Sequence, residues 1–341
     1  MVPTGVRPVP LRSCAPRARG DGFPLPLPER GGECAPRACG VGPHCRHAEQ
    51  ACFSSNWENL AVPDSSSEET ADLPAHAGLE VFNGVVFEGG LPGDRLLARL
   101  SGTTRTVWAK YDPRTDGSLP LWRHMADAAA VAGLLWDHWV PAQVRRTIGA
   151  ALPGGAGDAR RLVVWLAAIH DIGKASPAFA CQVESLAGAM RDVGLGMPAH
   201  PQMPDRRLAP HGLAGQALLE EWLVERCGWT RRSVLQFGIV VGGHHGVPPG
   251  YHDIRELNVH PDLLRTPGFE SQWRDVQTEL LDACAEVCGV AERLAEWRQV
   301  RLPQPVQVLL TGLVIVADWI ASNPDLFPYF PEGQHHSDAE R

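Results

Sequence analysis

The chain is 341 residues long, 44% hydrophobic, rich in tryptophan with 11, and carries a formal net charge of −8. A Pro-, Gly-, Cys- and Arg-rich composition over roughly the first quarter leaves apolar material for one helical core of about 230 residues. Negative charge argues against a free-standing nucleic-acid binder, and the lack of an apolar leader or of any run near ~20 apolar residues points to a cytoplasmic chain with no membrane contact.

Residues 1–77 read as a disordered, low-complexity leader that ends in the acidic stretch Asp64-Ser-Ser-Ser-Glu-Glu-Thr. Five of the nine cysteines (Cys14, Cys34, Cys39, Cys45, Cys52) fall here, with His47. No CxxC pair is present, so an unstructured leader or an over-extended start is favoured over a zinc knuckle. In a reducing compartment the cysteines are expected as thiols. Residues 78–330 are expected to form the folded domain and 331–341 a polar tail. Weak alternation over 79–110 suggests short strands or extended segments.

Beyond Pro120 the periodicity turns helical. Residues 121–140 place Trp122, Met125, Ala128, Ala129, Ala132 and Leu135 at helical spacing and stop at Pro141, so His124 shares an inward stripe with Ala128 and Val131. Residues 161–172 are apolar nearly all round and read as a central helix with His170 and Asp171 on its last turn and Gly173 as breaker. A helix opening at Pro210 carries His211 in its first turn. Another, 234–241, ends in Gly242-Gly243-His244-His245-Gly246. One long amphipathic helix is expected over 269–297, with a solvated polar face and no chemistry. The last, 304–321, buries Asp318 among Leu313, Val316, Ala317 and Ile320.

Singly, each of these histidines and aspartates has an ordinary explanation as a hydrogen-bonded core residue or a cap. As a set, five histidines and two aspartates at the ends or inner faces of apolar helices are hard to satisfy by mutual hydrogen bonds. Divalent cations satisfy all of them. Imidazole-rich donors suit iron, manganese, cobalt, nickel or zinc better than magnesium or calcium. Seven ligands exceed one site that keeps room for water, so two ions about 3.5–4 Å apart, sharing a carboxylate, are expected, with Asp171 the natural bridge. Only two lysines occur in the chain, and one, Lys174, lies three residues after Asp171.

His124, His170-Asp171, His211, His244-His245 and Asp318 resemble the HD superfamily of metal-dependent phosphohydrolases. The wording around them, Trp108-Ala-Lys110, Pro120-Leu-Trp-Arg-His124, Ala168-Ile-His-Asp-Ile-Gly-Lys174, Ser176-Pro-Ala-Phe179 and Gly243-His-His-Gly246, looks like the HD nuclease domain of the CRISPR type I helicase-nuclease, over about residues 80–330. The resemblance implies an all-α HD-domain helical bundle whose di-metal centre cuts single-stranded DNA. His124, His170, Asp171 and Asp318 would hold one ion, and Asp171, His211, His244 and His245 the other, with iron, manganese, cobalt or nickel as metal. Lys174 would help neutralise the scissile phosphate; its competing reading is a surface lysine. The familiar protein continues into a helicase, whereas Gly173-Lys174-Ala175 fails the GxxxxGK[ST] phosphate loop on its third residue. A helicase in trans, or fused after about residue 330, and an RNA-guided surveillance complex are therefore the expected partners. Competing readings are an HD-type nucleotide phosphohydrolase and a non-catalytic, metal-stabilised interaction module.

Overall fold

The computed structural model describes residues 79–82, 85–88 and 92–329, all within the second of the two units into which the chain divides, Leu73–Arg341. The expected leader, its cysteines and the polar tail lie outside the described residues. Short elements come first: strands β1 (Leu79–Phe82) and β2 (Val85–Glu88), helices α1 (Pro92–Leu97) and α2 (Gly102–Arg105), then β3 (Trp108–Asp112) and β4 (Gly117–Pro120). Each strand pair is an antiparallel hairpin, Leu79 opposite Glu88 in one and Asp112 opposite Gly117 in the other. The sequence anticipates the strands but not the two helices. Ser101 caps α2, its hydroxyl accepting from the Thr104 N–H at 3.2 Å.

The rest is helical: α3 (Leu121–Leu134), α4 (Ala142–Gly149), α5 (Gly155–Ile169), α6 (Pro177–Ala180), α7 (Glu184–Asp192), α8 (His211–Glu225), α9 (Arg231–Gly242), α10 (Tyr251–Leu257), α11 (Glu270–Val287), α12 (Leu294–Trp297) and α13 (Gln304–Ala321). The core helix α5 packs against α3, α4 and α13, while α8 packs on α9 and on the 3₁₀ turn Ile172–Lys174 that follows α5. Trp122, Trp165, Trp273 and Trp297 are all fully buried and supply much of the core volume.

Three expected helices change shape. The run 121–140 stops being α-helical at Leu134 and closes with a π-helical turn, Leu135–Trp139, in which the Val140 N–H donates to the Leu135 carbonyl at 2.8 Å. Pro141 cannot continue the ladder and disfavours helical backbone before it. The central helix begins six residues earlier than its apolar pattern and ends at Ile169, not Ile172. A Cβ on Gly173 would sit 2.5 Å from the Gly215 N and 2.9 Å from the His211 C, so the chain leaves the helix to press bare backbone against α8. The expected 269–297 helix is broken at Gly289 (φ +66°), where Val290 N–H donates to Ala285 C=O and Gly289 N–H to Glu286 C=O, a Schellman ending.

Among the described residues α13 is long and apolar enough to cross a membrane, contrary to the expectation from run length alone. Here it packs against α3, α4, α5 and α9 and turns Asp318 toward their histidines.

Candidate metal centre

Five separate segments deliver the seven candidate ligands to one place. His124 lies in the first turn of α3, directly after the β3–β4 hairpin; His170 caps α5 and Asp171 occupies the joint before the 3₁₀ turn. His211 is the first residue of α8, His244 and His245 follow the Gly243 cap of α9, and Asp318 projects from the last turn of α13. The ordering of the chain brings them together because helix ends, where backbone direction changes, all meet at one end of the bundle.

Asp171 stands between two groups. Its Oδ2 lies 3.1 Å from His124 Nε2 and 3.4 Å from His170 Nε2. Its Oδ1 lies 3.3 Å from His211 Nε2 and 3.5 Å from His244 Nε2. Asp318 Oδ1 completes the first group, at 3.2 Å from His124 Nε2 and 3.3 Å from His170 Nε2. His245 completes the second, its Nε2 2.7 Å from His211 Nε2. Ligand atoms of His124, His170, Asp171 and Asp318 all lie within 4.8 Å of one another, as do those of His211, His244 and His245.

These residues fit a divalent transition metal on their own hydrogen bonding. His170 Nδ1 is 2.7 Å from the Ala167 carbonyl and His244 Nδ1 2.6 Å from the Val241 carbonyl, so each ring donates from Nδ1 and leaves Nε2 as the atom that can ligate a metal. Both Nε2 atoms are buried and make no hydrogen bond. A buried acceptor left in that state costs about 1–3 kcal/mol, which a cation ligand removes.

The charges around the centre are strongly displaced from their ordinary values. Burial, the largest influence, opposes ionisation of Asp171, yet the Lys174 ammonium and the His170 ring hold its carboxyl well below the usual range. Asp318 is likewise held low, burial being outweighed by the His124 and His170 rings beside its carboxylate. Burial pulls His170 down, but the Asp171 charge more than reverses it and raises the ring to about 9. His211 is pushed by burial to about 3, the Asp171 charge raising it only in part against Lys174, His244 and His245. With no metal bound, one proton on His170 therefore stands where a cation's charge belongs.

Lys174 is not a surface residue: it is 4% exposed, with its Nζ 2.7 Å from Asp171 Oδ2 and 3.1 Å from the Ala109 carbonyl. The surface reading fails because the 3₁₀ turn tucks the side chain under β3. The chain's other lysine, Lys110, also enters the site, donating to Ser322 Oγ at 2.8 Å, while Ser322 donates to Asp318 Oδ1 at 2.8 Å. Sequence reasoning gave Lys110 no role and passed over Ser322. The available signal was composition: two lysines in a chain of arginines, both in the wording shared with the family. Phe179, in the same wording, places its ring 5.9 Å from that of His211.

Comparison with known proteins adds a second line. The family described as "Cas3, HD domain" matches residues 108–327. The chain is 29% identical over 241 residues to the CRISPR-associated nuclease/helicase Cas3 of Streptococcus thermophilus, covering 65% of this chain and 25% of that protein. It is 30% identical over 226 residues to the CRISPR-associated endonuclease/helicase Cas3 of Thermus thermophilus, covering 65% of this chain and 22% of that one. A solved structure described as a CRISPR-associated protein superposes with a TM-score of 0.55 at 33% identity, over 67% of this chain and 24% of its own. T. fusca Cas3 shares the fold, with a TM-score of 0.51 at 24% identity over 66% of this chain and 23% of its own. The chain thus spans about a quarter of the length of the curated relatives it matches.

Proposed function

The chain belongs to the Cas3 HD-domain family, a nuclease family, and from that premise we propose that it hydrolyses phosphodiester bonds of single-stranded DNA with two transition-metal ions. The observation that carries this reading is the Asp171 carboxylate, whose two oxygens face two different sets of imidazoles. One ion would be held by His124, His170, Asp171 and Asp318, the other by Asp171, His211, His244 and His245. The imidazole-rich donor set favours iron, manganese, cobalt or nickel.

When bound, the ions would supply a water that ionises near neutral pH and charge stabilisation of the attacking and leaving oxygens. The protein's own residues prepare the geometry. Backbone carbonyls of Ala167 and Val241 fix the His170 and His244 rings, and Lys174 fixes Asp171 while balancing its charge. Because the Lys174 ammonium is engaged by Asp171 and Ala109, its effect on a scissile phosphate is exerted mainly through the carboxylate. His245, which is exposed, and His211, whose side chain is 23% exposed, mark the side from which a phosphate reaches the centre.

The relatives' names couple a nuclease to a helicase in one protein. Their additional length is the natural source of an unwound strand here, supplied in trans or by fusion, with an RNA-guided surveillance complex delivering the duplex. The same reading places the chain in the cytoplasm.

The test is reconstitution of the purified chain with manganese, cobalt, nickel or anaerobic iron, followed by assay on single-stranded DNA, duplex DNA, RNA and dNTPs with a chelator control. Two ions per chain and chelator-sensitive cutting confined largely to the single strand are expected. Cutting that survives the chelator, dNTP hydrolysis as the dominant activity, or efficient ATP-independent digestion of blunt duplex would each overturn the reading.

A further inference from the structure

Lys110 is not a candidate ligand, yet it enters the centre. It follows Ala109 on β3, and the Ala109 carbonyl accepts from Lys174 Nζ at 3.1 Å, so the hairpin brings the chain's two lysines to the same carboxylates. Lys174 Nζ lies 2.7 Å from Asp171 Oδ2, and Lys110 Nζ 3.7 Å from Asp318 Oδ1. Both lysine side chains are mostly withdrawn from water, which therefore screens their charges weakly.

The hydrogen bonds at Lys110 have a fixed direction. A lysine ammonium only donates, so Ser322 Oγ accepts from Lys110 at 2.8 Å and gives its own proton to Asp318 Oδ1 at 2.8 Å. That same Oδ1 faces His124 and His170. The oxygen that would bind an ion is thus already engaged by a hydroxyl and faced by an ammonium, and both reduce its attraction for a cation.

The charges of the inner half also cancel before any ion arrives. Asp171 and Asp318 are opposed by Lys174 and Lys110, and imidazoles ligate as neutral rings. The outer set, His211, His244 and His245, adds no negative charge. A divalent ion beside the buried His124, His170 and Asp171 therefore exceeds the negative charge that the protein supplies. Uncompensated charge at a buried position is strongly disfavoured, so an anion from outside has to accompany the ion. The anion that the reaction brings is a phosphodiester.

We propose that Lys110 makes occupancy of the inner half depend on phosphate: ion and phosphate bind cooperatively, and Lys110 holds the phosphate-free affinity for the ion down. The inference rests on the nuclease reading above for the source of the phosphate. Linkage requires that each ligand raise the other's affinity by the same factor. Lys110 acts through Asp318 and is not itself catalytic. Were the two lysines there only to neutralise the carboxylates within the fold, the ion would be indifferent to phosphate.

The test uses the full chain, stripped of metal and titrated with cobalt at buffered free-ion concentration and constant ionic strength, with and without inorganic phosphate. Absorbance follows the binding event that His124→Ala weakens. Phosphate should tighten that event by about tenfold or more, and cobalt should tighten phosphate binding, read by calorimetry, by the same factor. Lys110→Gln, which keeps a donor for Ser322 but no charge, should bind cobalt about tenfold more tightly than wild type without phosphate and gain far less from adding it. Lys110→Arg should retain the linkage, as should Ser322→Ala, in which both charges remain. A wild-type cobalt affinity indifferent to phosphate, a measurement that needs no variant to fold, would overturn the inference, as would weaker cobalt binding by folded Lys110→Gln protein. Linkage in a chain that cuts no strand with any metal would remove the nuclease reading and leave the inference standing, whereas strand cutting without linkage would do the reverse.

Discussion

The two halves of the centre share Asp171 and little else. On one side His124 and His170 are fully buried, Asp318 is nearly so, and the chain's two lysines stand against the carboxylates. On the other, His245 is exposed, His211 is partly so, and their nearest polar neighbours are each other and Asp171. The inner half is buried and charge-paired, its carboxylates facing Lys110, Lys174 and the His124 and His170 rings, so it is part of the core as well as of the site. The outer half has little of this internal compensation, and its ion should exchange more readily with solvent and leave the fold intact. Exposure of His245 and His211, though not of the buried His244, thus distinguishes two ligand sets that look alike in sequence.

The widest break in that comparison is expected from Asp171→Ala, since both halves meet on it. Metal uptake at both positions and cutting should be lost, and stability should fall by about 3–5 kcal/mol because Lys174 is left as an uncompensated buried charge. Elemental analysis with circular dichroism checks this, and Asp171→Asn, which preserves shape, separates chemistry from folding. Full metal content in a folded Asp171→Ala protein would end the bridging assignment.

A smaller effect with a different signature is expected from Gly173→Ala. The added methyl would press on the His211 backbone, moving the outer half away from Asp171 at a cost of about 1–3 kcal/mol. Denaturant unfolding and metal stoichiometry should show a folded, destabilised protein with one strong ion rather than two. An unchanged midpoint would mean that the close approach of the turn to α8 does not set the geometry.

His245→Ala sharpens the contrast further. It should weaken one of two binding events by about tenfold or more with stability within about 0.5 kcal/mol of wild type, as for exposed positions generally. His124→Ala should weaken the other event and destabilise by about 2 kcal/mol or more through an unfilled core position. Cobalt titration followed by absorbance, beside thermal melts, distinguishes them, and identical profiles for the two variants would erase the inner–outer distinction.

The smallest effect is a pH dependence confined to the metal-free chain. His170 is raised to about 9 from its ordinary 6.5 by the neighbouring Asp171, against burial. A raised folded-state value contributes stability that is complete below about pH 6.5 and is lost as pH climbs through about 9. Chelated protein should therefore melt a few degrees lower at pH 9 than at pH 6.5. Metal-loaded protein, in which the ion replaces the His170 proton, should not follow that trend, and parallel curves would contradict it.

Much of this was legible in the chain. The pairs His170-Asp171 and His244-His245 announce themselves because adjacent ligands at the end of an apolar run have no other economical use, and α13 runs over the residues its apolar pattern marks, 304–321. Helix ends were less legible. Cys288-Gly289 interrupts a periodicity that otherwise continues to Trp297, and the stop at Ile169 depends on α8, distant in sequence.

Composition and periodicity by themselves determined that this protein is helical, where its apolar faces lie, and which residue types gather at the helix ends, because those properties are local to a few turns of chain. The tertiary structure alone decided that Asp171 offers one oxygen to each set of imidazoles, that Lys174 is buried beneath β3, and that Lys110 and Ser322 join Asp318. Each of these depends on segments at least 40 residues apart being brought into contact, and no local pattern encodes which distant helix end will arrive.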